Sequence, residues 1–257
     1  MWFLYLGLIH LLLIIISLIF FMPENFLKNK IRIDRIFNLL RKHSQYLIII
    51  IALVVIHLFE VNFIDSMITD RIGYNYAINM QQIEGNFVYS FSQNWIPGIL
   101  HFFVLIYIAI YPFTLWFSPL YFILDDKEKS IKTLAYGLVI IYTIALPFYL
   151  LLPVTNVYIY YNVDSALETV FPNVENFFYS TTTQNNCIPS LHTAMTILIA
   201  YSVNLTENKR LTYFAYTVMI FVIISVIYLS IHWLTDVLTG IILSLVTIFL
   251  LKRYILN

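Results

Sequence analysis

Charge is scarce in this sequence. Lysine, arginine, aspartate and glutamate make up 11% of its 257 residues, whereas an average soluble chain carries about a quarter. With 61% hydrophobic residues a soluble domain could not cover its own surface, so composition excludes that class and leaves a chain that crosses a membrane several times. The formal net charge is zero and the charges are parted loop by loop, which excludes a nucleic-acid-binding patch. Cysteine is nearly absent: Cys187 stands alone, so no disulfide can form within the chain. Glycine is held to six residues, with no Gly/Ser linker and no internal repeat. The opening run, 2–21, lacks a preceding basic residue and a following small-residue cleavage site, and reads as a retained span rather than a signal peptide.

What is abundant is apolar run length. Bounded by charge, the runs are 2–21, 46–64, 97–124, 133–153, 188–204, 212–231 and 233–251, which predicts an all-α, polytopic membrane bundle of about seven transmembrane helices. The fifth run is short for a span. The third is long, and Pro112 and Pro119 are expected to kink it or end it early. Lys28, Lys30, Arg32, Arg35, Arg41, Lys42, Lys127, Lys129, Lys132, Lys209, Arg210, Lys252 and Arg253 fall on one side of this arrangement, and Arg71 alone on the other. That bias places the basic side in the cytoplasm, the N-terminus outside and the C-terminus inside, as expected of an integral protein of the cell membrane. The outer connections, 65–96 and 154–187, are long and rich in Tyr, Phe, Asn and Gln, and are expected to form short interfacial helices over a site.

Two stretches carry chemistry. Pro189-Ser190-Leu191-His192 opens the fifth run, and His232-Trp233-Leu234-Thr235-Asp236 opens the seventh, so both histidines face the outer side. Proline suits a first helical turn, and the free N–H groups beyond it form an anion site to which Ser190 adds a hydroxyl. His232 and Asp236 are four apart and therefore neighbours on one helix face. The carboxylate there can hold the imidazole in one tautomer and stabilise its charged or substituted form. One histidine could attack while the other protonates a leaving group, which suits phosphoryl chemistry on a lipid.

At these residues the sequence resembles the type 2 phosphatidic acid phosphatase (PAP2) superfamily. Pro189-Ser190-Leu191-His192 is similar to its second motif with Leu for Gly, and Ser225, His232 and Asp236 match its third motif in spacing. The resemblance implies His232 as nucleophile forming a phosphohistidine, Asp236 as its orienting partner, His192 as the acid, and Ser190 and Ser225 among the phosphate-binding residues. It implies a six-helix core over 46–257, with 1–45 adding an N-terminal transmembrane helix and a basic cytoplasmic loop, and it calls for no metal and no cofactor. Partners would be a lipid phosphate or phospholipid and the bilayer. The sequence departs from the family where cations are usual: Val226 stands at the third-motif Arg, and Ala145 and Leu152 at the first-motif Lys and Arg. Together with Leu191, this looks like the Aur1-like inositol phosphorylceramide synthase branch, which transfers a phospho-head group between lipids.

Arg71, the one basic residue on the catalytic side, is expected to fold over the site and replace part of the missing charge; the plainer reading pairs it with Asp70 or Asp65. His57, Glu60 and His101 are read as a structural polar cluster rather than a metal site. His10 reads as interfacial and His43 as a cytoplasmic surface residue. From another class, a catalytically silent lipid-binding or transport protein fits the same fold, and a channel or proton-coupled carrier using Glu60, His57 and His101 ranks after it.

Overall fold

The computed structural model describes residues 2–22 and 33–256; Lys28, Lys30 and Arg32, which entered the charge count, lie outside them. Among the described residues the chain is helical, with one isolated bridge between Val154 and Asn186. In chain order the helices are α1 (Trp2–Phe20), α2 (Ile33–Lys42), α3 (Ser44–Ile72), α4 (Ala77–Glu84), α5 (Tyr89–Ser92), α6 (Pro97–Leu124) and α7 (Glu128–Leu151). They continue with α8 (Val157–Tyr160), α9 (Ala166–Val170), α10 (Val174–Phe178), α11 (Leu191–Asn204), α12 (Lys209–Tyr228) and α13 (Leu234–Tyr254).

Each of the seven apolar runs becomes a helix. Five of these, α3, α6, α7, α12 and α13, are long and apolar enough to cross a bilayer, and α1 is a shorter apolar one. Their outer faces carry exposed Ile51, Val55 and Phe59 on α3 and Leu238, Ile242 and Phe249 on α13, a surface that only lipid satisfies at low cost. The bundle is thus an integral membrane fold.

With 14 residues, α11 reaches about 21 Å and falls short of the roughly 30 Å hydrocarbon layer. It can do so because α6, α7, α12 and α13 surround it, so protein rather than lipid covers its ends. Small residues admit the close neighbours. A Cβ on Gly137 of α7 would stand 2.5 Å from the Leu198 side chain of α11, and one on Gly240 of α13 would stand 2.6 Å from the Ser190 carbonyl.

Two expectations about helix ends change. α3 runs on to Ile72, past the predicted end at 64, through a π turn over Glu60–Ile64 in which the Asp65 N–H donates to the Glu60 carbonyl. α6 is not ended by Pro112. A second π turn, Ile106–Ile110, lies just before it, closed by the Tyr111 N–H on the Ile106 carbonyl, and the widened turn absorbs the lost donor and the ring.

The long connections form the short helices α4, α5 and α8 to α10, as expected. They are tied at the base of the site: the Val154 and Asn156 N–H groups donate to the Asn185 and Gln184 carbonyls at 2.8 and 2.9 Å, and the Tyr76 N–H donates to the Pro153 carbonyl at 2.8 Å. At the opposite, basic end His43 is fully buried, correcting its reading as a surface residue. Its Nε2 lies 2.8 Å from Asp126 Oδ1, and Lys42 Nζ reaches the same carboxylate at 2.7 Å. Burial raises the Asp126 pKa, but the hydrogen bonds from Lys42 and His43 outweigh it and the net shift is downward.

Candidate active site

The first turns of α11 and α13 meet. Ser190 caps α11, its Oγ accepting the Thr193 N–H at 3.3 Å, as serine does at an N-cap. The helix therefore begins at Leu191. Pro189, expected in the first turn, instead precedes the cap after a cis peptide bond, and its carbonyl accepts the Tyr149 hydroxyl at 2.7 Å. The Ser190 N–H donates to the Asp236 carbonyl at 3.0 Å, so backbone joins one motif to the other. The bare Cα of Gly240 lets the two helices come this close.

α12 ends at Tyr228, and Ser230 takes a left-handed φ of 56°. Both the Ile231 and His232 N–H groups then donate to the Val226 carbonyl at 3.0 Å, which turns the His232 ring inward. Asp236 Oδ2 accepts the Trp233 N–H at 2.9 Å and lies 3.3 Å from His232 Nδ1. Glu84 of α4 reaches over to cap the same helix, accepting the Leu234 and Thr235 N–H groups at 2.7 and 2.5 Å. A carboxylate is thus seated on the positive end of α13.

The hydrogen bonds assign the tautomers. An ionised Asp236 only accepts, and with it His232 donates from Nδ1 and keeps a lone pair on Nε2. That lone pair faces His192 Nδ1 at 3.2 Å, so His192 donates to it. Burial lowers the His232 pKa from its ordinary value to about 3, against a hydrogen bond to the Cys187 backbone that raises it, and the lone pair is therefore free at neutral pH. His192 is held between Tyr107 and Tyr111, with ring centroids 4.8 and 5.2 Å away.

His192 and His232 stand on the wall of a cavity of about 670 Å³, within the range of small-molecule sites. Its lining runs along α7 from Tyr149 through Tyr142 and Ile141 to Leu138, a depth of about 16 Å, and is otherwise mostly apolar. Leu6, Gly7 and His10 of α1 and Ile50, Leu53 and Val54 of α3 close its sides; Val54 is half exposed and marks an edge toward the lipid-facing surface. Among the described lining residues there is neither lysine nor arginine. Val226 and Ala145, which occupy two family cation positions, are fully buried.

The remaining predicted residues are dispersed. Ser190 is fully buried, beneath the cavity wall rather than on it. Ser225 is buried too, its hydroxyl donating to the Val222 carbonyl of its own helix at 2.7 Å. Arg71 is exposed near the end of α3 and is not on the cavity wall. His57 and Glu60 do pair, at 3.5 Å, but His101 does not join them: it is exposed and its Nδ1 donates to the Pro97 carbonyl at 2.6 Å. The partners of Glu60 are instead the Tyr142 hydroxyl and Asn186 Nδ2, each at 3.3 Å. His10, read as interfacial, lines the cavity.

Sequence reasoning passed over Tyr107, Tyr111, Glu84 and Cys187. The two tyrosines are four apart on one span, a pattern that could have flagged a shared face; Glu84 has no local signal. Cys187, His232 and Asp236 form a buried group whose ligand atoms all lie within 4.8 Å of one another. The His232–Asp236 hydrogen bond already accounts for two of the three.

The two histidine motifs thus meet, with a buried carboxylate, at the head of an apolar cavity in an all-helical membrane bundle. The chain belongs to the PAP2 superfamily, whose family profile matches residues 86–250 and so takes in both histidine motifs. No curated protein and no solved structure matches it.

Proposed function

We propose that this protein is a lipid phosphate phosphatase or phosphotransferase that works through a phosphohistidine, without a metal, on the outer face of the membrane. The observation that carries this reading is the free Nε2 lone pair of His232, backed by Asp236 and facing His192 at the head of an apolar cavity. The cavity takes the hydrocarbon chain of the substrate and brings its phosphate to the two rings. A reacting phosphorus must lie about 3–3.5 Å from the attacking atom, so its arrival breaks the contact between the histidines and turns the His192 N–H toward the leaving oxygen. His232 Nε2 forms the N–P bond as the ester O–P bond breaks, the leaving oxygen takes a proton from His192, which enters the step as imidazolium beside the anionic phosphate and leaves it neutral, and Asp236 stabilises the substituted ring. Water or an alcohol then attacks the phosphorus, gives its proton to His192, and returns the electron pair to Nε2.

Ser190 serves by fixing the first turn of α11. Charge on the phosphate is met by the His192 ring N–H and that helix end, not by guanidinium or ammonium groups. This absence of cations supports the Aur1-like reading, in which a singly charged phosphodiester is handled, over action on a doubly charged monoester.

The test is product formation by the purified protein in EDTA from a panel of lipid phosphates and phospholipids, run beside His232→Ala. Turnover that survives EDTA and disappears in the variant is expected. Turnover that persists in His232→Ala, or none from the intact protein, would overturn the reading, the second outcome in favour of a lipid-binding protein.

A further inference from the structure

A glycine inside a helix weakens it relative to alanine, and close packing accounts for two of the helical glycines here. A Cβ on Gly137 or Gly240 would strike the neighbouring helix. Gly7 of α1 is different: a Cβ there would meet nothing within 4 Å, so no helix packs against that face. It is exposed, yet it lines the apolar cavity. Val54 of α3 shares both properties, and a further exposed lining residue, Thr181, lies in the outer connection between α10 and α11. Leu4, Leu8 and Leu11 of α1 and Ile51 and Val55 of α3 are exposed alongside. The cavity thus has exposed edges on α1 and on α3, both at the lipid-facing surface.

The two edges lie at different depths. Leu6 packs on the cluster that includes Tyr107 and Ile231, at the head of the cavity, whereas Val54 lies most of a turn below His57, whose ring meets Tyr142 at 5.6 Å. An opening bounded by them runs nearly the length of the cavity. That length, about 16 Å, is close to half of the roughly 30 Å hydrocarbon layer, so a chain in the cavity lies as deep as a chain in the adjoining leaflet.

We propose that the lipid substrate enters sideways from that leaflet, through a slot between α1 and α3, and that Gly7 sets the width of the slot beside the histidines. Entry from the outer surface would draw each methylene through water, at a cost that grows with chain length. The slot keeps the chain in hydrocarbon while the phosphate slides along the interface to His232. Both helices precede residues 86–250, the stretch matched by the family profile, so the entry is built by parts of the chain that the profile does not describe. The proposal rests on the reading that the cavity takes the substrate's chain.

The experiment mixes the purified protein in detergent with phosphatidic acid or phosphatidylinositol that carries a diazirine near the end of one acyl chain. The sample is flashed at successive times and the insertion is mapped. Label is expected at Leu138 and Ile141 on the cavity wall. Gly7→Trp should slow its appearance about tenfold, because the chain must then wait for α1 to move; Val54→Trp, at the other edge, should slow it too. Leu8→Trp, exposed on the same helix but off the cavity wall, should keep the parent rate, each variant being checked for cooperative thermal unfolding. Absence of label from Leu138 and Ile141 in the parent, an unchanged rate in Gly7→Trp, or a fall in Thr181→Trp that Gly7→Trp does not share would overturn the proposal. Labelling is read without turnover, so failure of the phosphohistidine reading is seen separately, as turnover that survives His232→Ala.

Discussion

Gly240→Ala tests how the two motifs are held together. A Cβ there would stand 2.6 Å from the Ser190 carbonyl oxygen, 3.0 Å from Thr193 Cβ and 3.3 Å from Ser190 Cβ. Ordinary contact begins near 3.4 Å, so α11 and α13 must part by about 0.8 Å, and the nearest obstacle is backbone that cannot rotate aside. Overpacking of this kind costs about 1–3 kcal/mol. The parting also moves His192 against His232, and a misplacement near 1 Å costs about 10²-fold in rate. Turnover should therefore fall about 100-fold while the detergent-solubilised protein still unfolds cooperatively at a lower temperature. Gly137→Ala is the control, since the nearest atoms to its Cβ belong to the Leu198 side chain rather than to backbone. It should lower stability with turnover largely kept. Full activity in Gly240→Ala, or equal losses of activity in both variants, would refute the reasoning.

Asp236→Asn leaves the His232 tautomer unsupported and should cut turnover by about 10²–10⁴-fold, measured as initial rate at saturating substrate. Glu84→Ala frees two N–H groups of α13 and should cost about 0.5–2 kcal/mol of stability, read from thermal unfolding. Asp126→Ala deprives the buried His43 Nε2 of its partner and should cost about 1–3 kcal/mol at neutral pH. The Asp126 pKa is lower folded than unfolded. Its contribution is thus complete above the unfolded value and lost as pH falls through the folded one, so variant and parent should converge in stability in strong acid.

Seven helices were legible because apolar runs bounded by charge are a strong signal, and the fit holds even for α11, which its run marked as short. The histidine motifs were legible for a different reason: two short local patterns each placed a histidine at the start of a run, and the bundle brings those starts to 3.2 Å. What was not legible depended on contacts distant in sequence. Glu84 caps a helix 150 positions away, and His43 is buried by Asp126, 83 positions on. The idea that Arg71 covers the site came from a charge count, which fixes a side of the membrane but no direction for a side chain. Grouping His101 with Glu60 failed similarly: a place near the outer end of a span fixes the depth of a side chain but not the side of the helix it faces, and His101 bonds to its own helix.

Those π turns have an evolutionary meaning. A π turn is what a helix becomes when one residue is inserted and the flanking turns are kept. The one in α6 ends at Ile110, between Tyr107 and Tyr111, the two rings that hold His192. A single codon lost there would restore an unbroken α-helix and swing everything on one side of it by about 100°, taking one tyrosine off the histidine while the span kept its hydrophobicity. The wall around the reacting ring can thus be redrawn by insertion or deletion of one residue, a larger step than any substitution offers and one that leaves the membrane topology intact.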